Sequence, residues 1–244
     1  MSTLRSYALL VRWTGLRQKT FLPFAIIIQG LFSLGIVIGY PLLFPQIDAR
    51  TILFIATAAP SITLITMGLV AVPQLVAQAR TEGSLDYMRS LPIPRVVYLL
   101  ADLTVQLLTV LPGVVFGILV ATWHFGLPIE VSPWVVPAVI LVVLTATSVG
   151  YAIACVLPTL VANLMSQVLV VLVFMFSPLQ FPADRLPDWL AAIHRVLPIQ
   201  AMGEVMRGTL APAAFPVTAG SFVLLGAWTM VTFGVSWRVL ARRG

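Results

Sequence analysis

The chain has 244 residues, of which 60% are hydrophobic and only 9% are charged. This is too little polar surface to cover a soluble globule of that length, so the composition indicates an integral membrane protein. The formal charge of +6 comes from 14 basic and 8 acidic residues. The basic residues are separated by apolar runs and form no continuous face, which argues against a nucleic-acid-binding protein.

The first twenty residues form a basic, amphipathic stretch. Apolar side chains alternate there with Arg5, Arg12 and Arg17. We predict an interfacial helix over residues 1–20, with its arginines among the lipid headgroups. A frayed basic tail that only sets the orientation of the chain is the alternative.

Six apolar runs follow, each long enough to cross a bilayer core of about 30 Å as a helix. They cover residues 21–44, 52–75, 96–122, 135–157, 160–179 and 217–237. The sequence therefore predicts an all-α membrane protein whose single domain covers residues 1–244. Its parts are the interfacial helix (1–20), spans one to five (21–179), an outer segment (180–216), and span six with its tail (217–244).

The basic residues next to the spans are unevenly divided between the two sides of the membrane. Ten flank one side and four flank the other. Because short cytoplasmic segments carry the excess of arginine and lysine, we expect both termini and the connection between spans two and three to be cytoplasmic.

That connection is the most polar part of the chain. It contains the charged residues Arg80, Glu82, Asp86 and Arg89 around the apolar Leu85 and Met88. A short helix with an apolar face ringed by charges is suited to docking into a groove of another protein. An ordinary polar loop is the alternative.

The stretch TEGSLDYMRSLPIPR resembles the coupling loop between spans two and three of type 2 ABC exporter permeases, in which the typical pattern is E-x-G-T-L-E-x-L-x-x-T-P-x-x-R. The matching positions are Glu82, Gly83, Ser84, Leu85, Asp86, Leu91, Pro92 and Arg95. The resemblance implies that this loop, as a coupling helix, docks a partner subunit. The docking residues would be Arg80, Glu82, Gly83, Leu85, Asp86, Met88 and Arg89.

A second stretch, after span five, resembles the same family. The matching positions are Leu186, Pro187, Trp189, Leu190, Pro198, Glu204 and Arg207, whereas Ala201 or Met202 stands where an aromatic residue is common. Helical spacing predicts two short amphipathic helices here, and the family places them on the outer side, dipping back toward the bilayer. A plain loop lying on the headgroups is the alternative. Trp189, Glu204 and Arg207 are the candidate functional residues of this segment.

The chain lacks the elements of a nucleotide site. Lys19 is its only lysine, and Trp13 and Gln18 occupy the glycine positions of the phosphate-binding motif G-x-x-x-x-G-K-[ST]. We expect no cofactor in this chain. The resemblance implies that a separate ABC ATPase subunit binds ATP and Mg, and that a second permease chain, identical or related, completes an exporter of the bacterial inner (plasma) membrane. Alternating access would then tilt spans one, two and five.

Polar and soft side chains within the spans are candidates for the translocation path, which the family places between spans two and five of the two protomers. The candidates are Thr57, Ser61, Thr66 and Met67 in span two, and Asn163, Ser166, Gln167 and Phe174 in span five. Their character favours a hydrophobic or amphipathic cargo, such as a drug, a lipid or a glycan-lipid. Bonding between helices is the alternative role for these side chains.

Asp102 in span three is a further path candidate. A carboxylate in a bilayer is costly unless it faces water or a partner. Pairing with Arg95 or with a neighbouring helix is the structural alternative.

Three other functional classes are an enzyme, a secondary transporter or channel, and a membrane scaffold. An enzyme is not indicated, because Asp184, Asp188 and His194 have no nucleophile beside them, and we interpret His194 as an interfacial surface residue that binds no metal. A stand-alone secondary transporter or channel is the alternative function. It would depend on Asp102 for ion coupling, and no repeat relates the two halves of the chain. A membrane scaffold is not excluded.

Overall fold

The computed structural model describes residues 3–39, 42, 48–83, 95–125, 130–179 and 181–242, and these residues are mostly helical. The α-helices are α1 (Thr3–Arg17), α2 (Phe21–Leu34), α3 (Ala49–Thr66), α4 (Val72–Thr81), α5 (Arg95–Phe125), α6 (Val135–Val156), α7 (Thr159–Phe176), α8 (Asp188–Val196), α9 (Pro198–Leu210) and α10 (Ala219–Arg242). The predicted all-α fold is confirmed.

Six helical stretches are long and apolar enough to cross a membrane, as predicted. They are Leu22–Gly39, Arg50–Thr81, Val96–Trp123, Val135–Val156, Thr159–Phe176 and Ala219–Val239. Span two is longer than the sequence predicted, because α3 and α4 form one continuous helix.

A π-helical turn over Met67–Ala71 joins α3 to α4. Pro73 has no backbone N–H, and its ring excludes the carbonyl group four residues earlier from a regular helical turn. The helix widens instead, and the N–H of Val72 bonds to the carbonyl of Met67, five residues back. A second π-helical turn, Gly35–Gly39, extends α2. Such turns are common at functional sites in helices.

Helix α6 lies at the centre of the bundle, with α10 packed along it and the Met67–Ala71 turn crossing it. At this crossing the two backbones touch: a Cβ atom on Gly150 would collide with the carbonyl oxygen of Gly68. Helices α1, α2 and α3 pack instead on α5. The bundle therefore consists of two groups of helices that share span two.

The amino-terminal helix α1 packs along the first half of α5. The Tyr7 hydroxyl and Thr104 Oγ1 are 2.6 Å apart, and Leu10 is buried against Val97 and Ala101. The other side of α1 exposes Leu4. The helix forms as predicted, and its position at the membrane surface stays a prediction.

Helices α8 and α9 fold back on each other between spans five and six. The indole N–H of Trp228 donates to the carbonyl of Val196 at 2.8 Å, which puts the end of α8 about 13 Å along α10 from Ala219 at 1.5 Å per residue. The carbonyl of Thr209 accepts the N–H of Ser132 at 2.9 Å, just before α6 begins. Helix α8 therefore ends beside Trp228 of α10, and α9 runs back to the level at which α6 begins.

Candidate functional site

The predicted docking segment begins at the end of α4. The Gln78 amide donates to Glu82 at 2.6 Å, and both Glu82 and Gly83 are exposed. Gly83 has a φ of 70°, a backbone conformation that favours glycine, so its position ends the helix cleanly. The remaining candidates of the segment lie outside the described residues. These are Leu85, Asp86, Met88 and Arg89.

Arg80 connects this segment to the turn between α6 and α7. Its guanidinium donates to the carbonyl of Leu157 at 3.3 Å, and the side chain is half-buried. The end of span two and the turn between spans four and five therefore lie at the same end of the bundle. Arg80 thus joins the start of the predicted docking segment to the turn that precedes α7.

A cavity of about 120 Å³ lies between α2 and span two, next to the Met67–Ala71 turn. We call it the Gln29 cavity; its walls are Ala25, Ile28, Gln29, Phe32, Thr63, Thr66, Met67, Val70, Ala71 and Gln74. Two of the path candidates predicted from the sequence, Thr66 and Met67, thus line one cavity. Its walls are mainly apolar, with a few amide and hydroxyl groups.

Gln29 is the most unusual wall residue. It is 7% exposed, and its amide oxygen and nitrogen have no hydrogen-bond partner among the described residues. A buried amide without partners costs roughly 1–3 kcal/mol. The side chain packs on Gly113 of α5, where a Cβ atom would collide with it. Gln29 therefore places a buried, polar amide between the cavity and α5.

Phe174 of α7 contacts Phe32, one of the wall residues of the Gln29 cavity. Its ring contacts that of Phe32 at a centroid distance of 6.1 Å, so spans one and five meet beside the cavity. Only 17% of the residues of the α7 span are buried, against 83% in an apolar 18-residue stretch of span two. Most of α7 is thus available for contact with lipid or with another chain.

The other path candidates do not line this cavity. Thr57, Ser61 and Ser166 are completely buried within the chain. Thr57 and Ser166 donate to carbonyls of their own helices, at 2.7 Å to Leu53 and at 2.8 Å to Ala162. On α7, Asn163 is half-buried and Gln167 is exposed.

Asp102 is buried in the bundle and accepts a hydrogen bond from the hydroxyl of Tyr151 on α6. Gln106, one turn further along α5, is also buried. The structure thus gives Asp102 a partner on a neighbouring helix, which the sequence analysis had kept open beside the path role.

Arg207, a candidate from the outer segment, is the centre of a buried cluster. Its guanidinium lies 3.5 Å above the ring of Phe54 and donates to the carbonyl of Leu179 at 2.9 Å. Phe215 packs edge-on against Phe54, with ring centroids 5.7 Å apart. We call these four residues the Arg207 cluster. It connects α3, α9, the turn after α7 and the segment before α10.

Burial sets the electrostatics of this arginine. Arg207 is 6% exposed, and desolvation lowers the pKa of its guanidinium to about 10, although nearby Glu204 acts in the opposite direction. The group stays charged at neutral pH. A desolvated cation over an aromatic face contributes about 2 kcal/mol.

The two other outer-segment candidates have different environments. Glu204 is half-buried and accepts hydrogen bonds from Gln200 at 2.8 Å and from Ser221 at 2.7 Å. Trp189 is 65% exposed and forms an apolar stripe on α8 with Ile193 and Val196. His194, expected at the surface, is instead buried, so that interpretation was wrong.

Several residues of these sites were missed in the sequence. The sequence contained a signal for Gln29: a polar amide inside an apolar span is costly unless it has a partner or faces water, as is the carboxylate of Asp102. Phe54 and Phe215 carried none, since an aromatic residue in an apolar run does not indicate which side chain it contacts.

Comparison with known proteins identifies one relationship. A family model described as ABC-2 type transporter matches residues 7–211, which run from α1 into the segment after α9. The match thus includes the Gln29 cavity and all of the Arg207 cluster except Phe215. No curated protein matches the chain.

Proposed function

Because the chain belongs to the ABC-2 type transporter family, we propose that this permease is the membrane-spanning subunit of an ATP-driven exporter of a hydrophobic or amphipathic substrate. The observation that carries the proposal is the Gln29 cavity, which lies between spans one and two and is bordered by span five. Its wall in span two is continuous with the helix that leads to the docking segment. Span two thus forms part of the substrate path and also leads to the docking segment.

The energy comes from a separate ABC ATPase subunit that binds ATP and Mg. This subunit docks on the segment that starts at Arg80 and Glu82 and continues through residues outside the described part of the chain. Support comes from the bond between Arg80 and the carbonyl of Leu157, because it links the docking segment to α7 as well as to span two.

The transport step is alternating access by tilting of spans one, two and five. Docking movements act on α4, and α4 shares a continuous backbone with the Thr66 and Met67 wall of the cavity. A tilt of this helix relative to α2 changes the width of the cavity. The contact between Phe32 and Phe174 must open for a cargo to pass between spans one and five.

The chemistry of the cavity favours an amphipathic cargo, such as a drug, a lipid or a glycan-lipid. Ile28, Phe32 and Val70 offer apolar contacts, and Gln29 offers an unpartnered amide. A cargo with an apolar body and one or two polar groups satisfies both. A purely ionic substrate would leave the apolar walls unused.

A second permease chain, as a homodimer or a related heterodimer, completes the path, and the largely exposed α7 supports this. We place the complex in the plasma membrane of a bacterium with both termini in the cytoplasm. In this orientation the ATPase would face three parts of the chain: the docking segment, the turn between spans four and five, and the end of α5 on which α1 packs.

A stand-alone secondary transporter or channel is a weaker candidate. It would need Asp102 free to exchange protons or ions with the path. That carboxylate is instead buried and bonded to Tyr151.

Purification in a mild detergent tests the proposal. We expect an ATPase subunit to co-purify with the chain and to hydrolyse ATP. Glu82→Ala should reduce its retention severalfold, because Glu82 is exposed at the start of the docking segment. Glu130→Ala, at another exposed glutamate outside that segment, is the matched control. Transport by the chain alone under an ion gradient, with no ATPase retained, would contradict the proposal.

A further inference from the structure

A second, polar cavity of about 400 Å³ lies between α8, α9 and the first turn of α10. His194, Arg195, Gln200, Glu204 and Ser221 are among its lining residues, and it shares none with the Gln29 cavity. The export path proposed above does not use it. Its volume is within the range of small-molecule sites.

Two residues that line this cavity each carry a buried polar atom without a partner among the described residues. His194 is 6% exposed, and its Nδ1 atom has no hydrogen-bond partner among the described residues. Burial lowers the pKa of this imidazole, so it is neutral at pH 7. In the neutral tautomer that carries its proton on Nε2, Nδ1 is a hydrogen-bond acceptor. The Oε1 atom of Gln200 is also buried and unpartnered.

Glu204 adds a carboxylate to these two acceptors. One of its oxygens accepts from Gln200 and the other accepts from Ser221, at 2.8 Å and 2.7 Å. A carboxylate has about four lone-pair positions, so capacity for further donors remains. The guanidinium of Arg207 is directed to Leu179 and Phe54, and it donates to neither of these oxygens.

The opposite charge stands at the rim of the cavity. Arg195 is exposed and lies on α8 next to His194. The cavity thus combines one carboxylate, two neutral acceptors and one cation. A ligand that matches it has a group with several N–H donors and a nearby anion.

Two of the helices that line the cavity, α8 and α10, also carry exposed apolar side chains. Trp189 and Val196 of α8 are 65% and 64% exposed, and Val223 and Met230 of α10 are 70% and 79% exposed. Helix α8 runs beside α10, which forms span six. Acyl chains can therefore lie against these helices while a headgroup occupies the cavity.

We propose that this cavity binds the ethanolamine headgroup of a membrane phospholipid. The primary ammonium is bound by Glu204, Gln200 and His194, and the phosphate by Arg195. A primary ammonium has three N–H donors for these three acceptors, whereas the quaternary ammonium of choline has none. The bilayer is the source we favour, because exposed apolar side chains flank the site.

The test uses the purified full chain in detergent and two short-chain lipids that differ only in the headgroup. Dihexanoyl-phosphatidylethanolamine should bind about tenfold more tightly than dihexanoyl-phosphatidylcholine in titration calorimetry, a difference typical of one well-placed charged hydrogen bond. Glu204→Gln should remove that preference. Glu130→Gln is the matched control, since this exposed glutamate is not among the residues that line the cavity.

A second variant protects the test against misfolding. Gln200→Met removes an acceptor that is already unpartnered, so the chain should stay folded and lose part of the ethanolamine preference. Equal affinities for the two lipids in the wild-type chain would overturn the proposal, as would equal losses in Glu204→Gln and Glu130→Gln.

Phosphoethanolamine without acyl chains distinguishes the source of the ligand. We expect it to bind at least tenfold more weakly than the lipid. Equal binding would overturn the bilayer as the source. No ATPase subunit and no transport enter these measurements, so their outcome is independent of the export proposal.

Discussion

Two phenylalanine pairs of similar separation hold different parts of the bundle. Phe54 and Phe215 have centroids 5.7 Å apart, and Phe32 and Phe174 have centroids 6.1 Å apart. The first pair surrounds the Arg207 guanidinium, which also bonds a backbone carbonyl. The second pair joins two helices whose surfaces are mostly exposed. The first contact therefore fixes its helices, and the second is suited to open.

The magnitudes support this difference. An aromatic pair contributes about 0.5–1.5 kcal/mol beyond its buried area. A desolvated cation over a ring adds about 2 kcal/mol, and a hydrogen bond from a charged group about 1.5–3 kcal/mol. The Arg207 cluster combines all three interactions, whereas the contact beside the Gln29 cavity has the first alone. A conformational change should therefore separate α2 from α7 and leave α9 attached to α3.

The largest expected effect comes from the Arg207 cluster. Arg207→Ala should destabilise the chain by about 3 kcal/mol, because it empties a buried site and leaves the Leu179 carbonyl without its donor. Thermal unfolding in detergent measures the change. Arg207→Lys should recover only part of the stability, since an ammonium lacks the planar stacking surface. An unchanged midpoint in Arg207→Ala would refute the anchoring role.

The backbone crossing between span two and α6 should respond next. Gly150→Ala forces a methyl group against the carbonyl oxygen of Gly68, so we expect a loss of about 1–3 kcal/mol from overpacking. Gly226→Ala, in α10, has no atom within 4 Å of the added methyl group and should be neutral or slightly stabilising. Equal effects of the two substitutions would show that the crossing is not tight.

A smaller effect of opposite sign is expected in the Gln29 cavity. Gln29→Met keeps the length of the side chain and removes an amide without partners, so it should raise stability by up to about 1 kcal/mol. The same change should reduce export of an amphipathic cargo in proteoliposomes. A loss of stability would mean that the amide has a partner that satisfies it.

The smallest effect concerns pH. Burial lowers the pKa of His194, so the folded chain favours the neutral imidazole. The sign follows from linkage: this contribution to stability is complete above the unfolded pKa of about 6.5 and is lost as the pH falls through the folded value. His194→Gln should therefore reduce the fall in unfolding midpoint between pH 7.5 and pH 5. The same fall in both chains would exclude His194 as its source.

The spans could be predicted from the sequence because a bilayer requires long apolar helices. Spans four and five, which form the helices Val135–Val156 and Thr159–Phe176, show this clearly. The extension of span two could not, since Gln74, Gln78 and Arg80 lower the hydropathy of α4. That helix forms because a π-turn accommodates Pro73 and keeps the backbone continuous.

The candidate residues were predicted with mixed detail. Arg207 was found through a motif, but its partners come from helices distant in sequence, so no local pattern indicated Phe54 or Leu179. Thr66 and Met67 were placed together because they are neighbours in one helix. The role of Asp102 could not be predicted from the energetic cost of a carboxylate inside a span. A buried position is consistent both with a place in the path and with a hydrogen bond from Tyr151.

Cross-linking of the Phe32–Phe174 contact, with the Ser132–Thr209 contact as the reference, tests the central claim most directly. Cys155, the single native cysteine, is replaced by alanine, and cysteines are introduced at Phe32 and Phe174 or, as the fixed pair, at Ser132 and Thr209. In the complex with its ATPase, trapping the ATP-bound state should lower the yield of the 32–174 cross-link severalfold and leave the 132–209 yield unchanged. The chain alone should not respond to ATP. A 32–174 yield that is the same with and without ATP, or a response of the chain by itself, would contradict a gate that is opened by a separate ATPase.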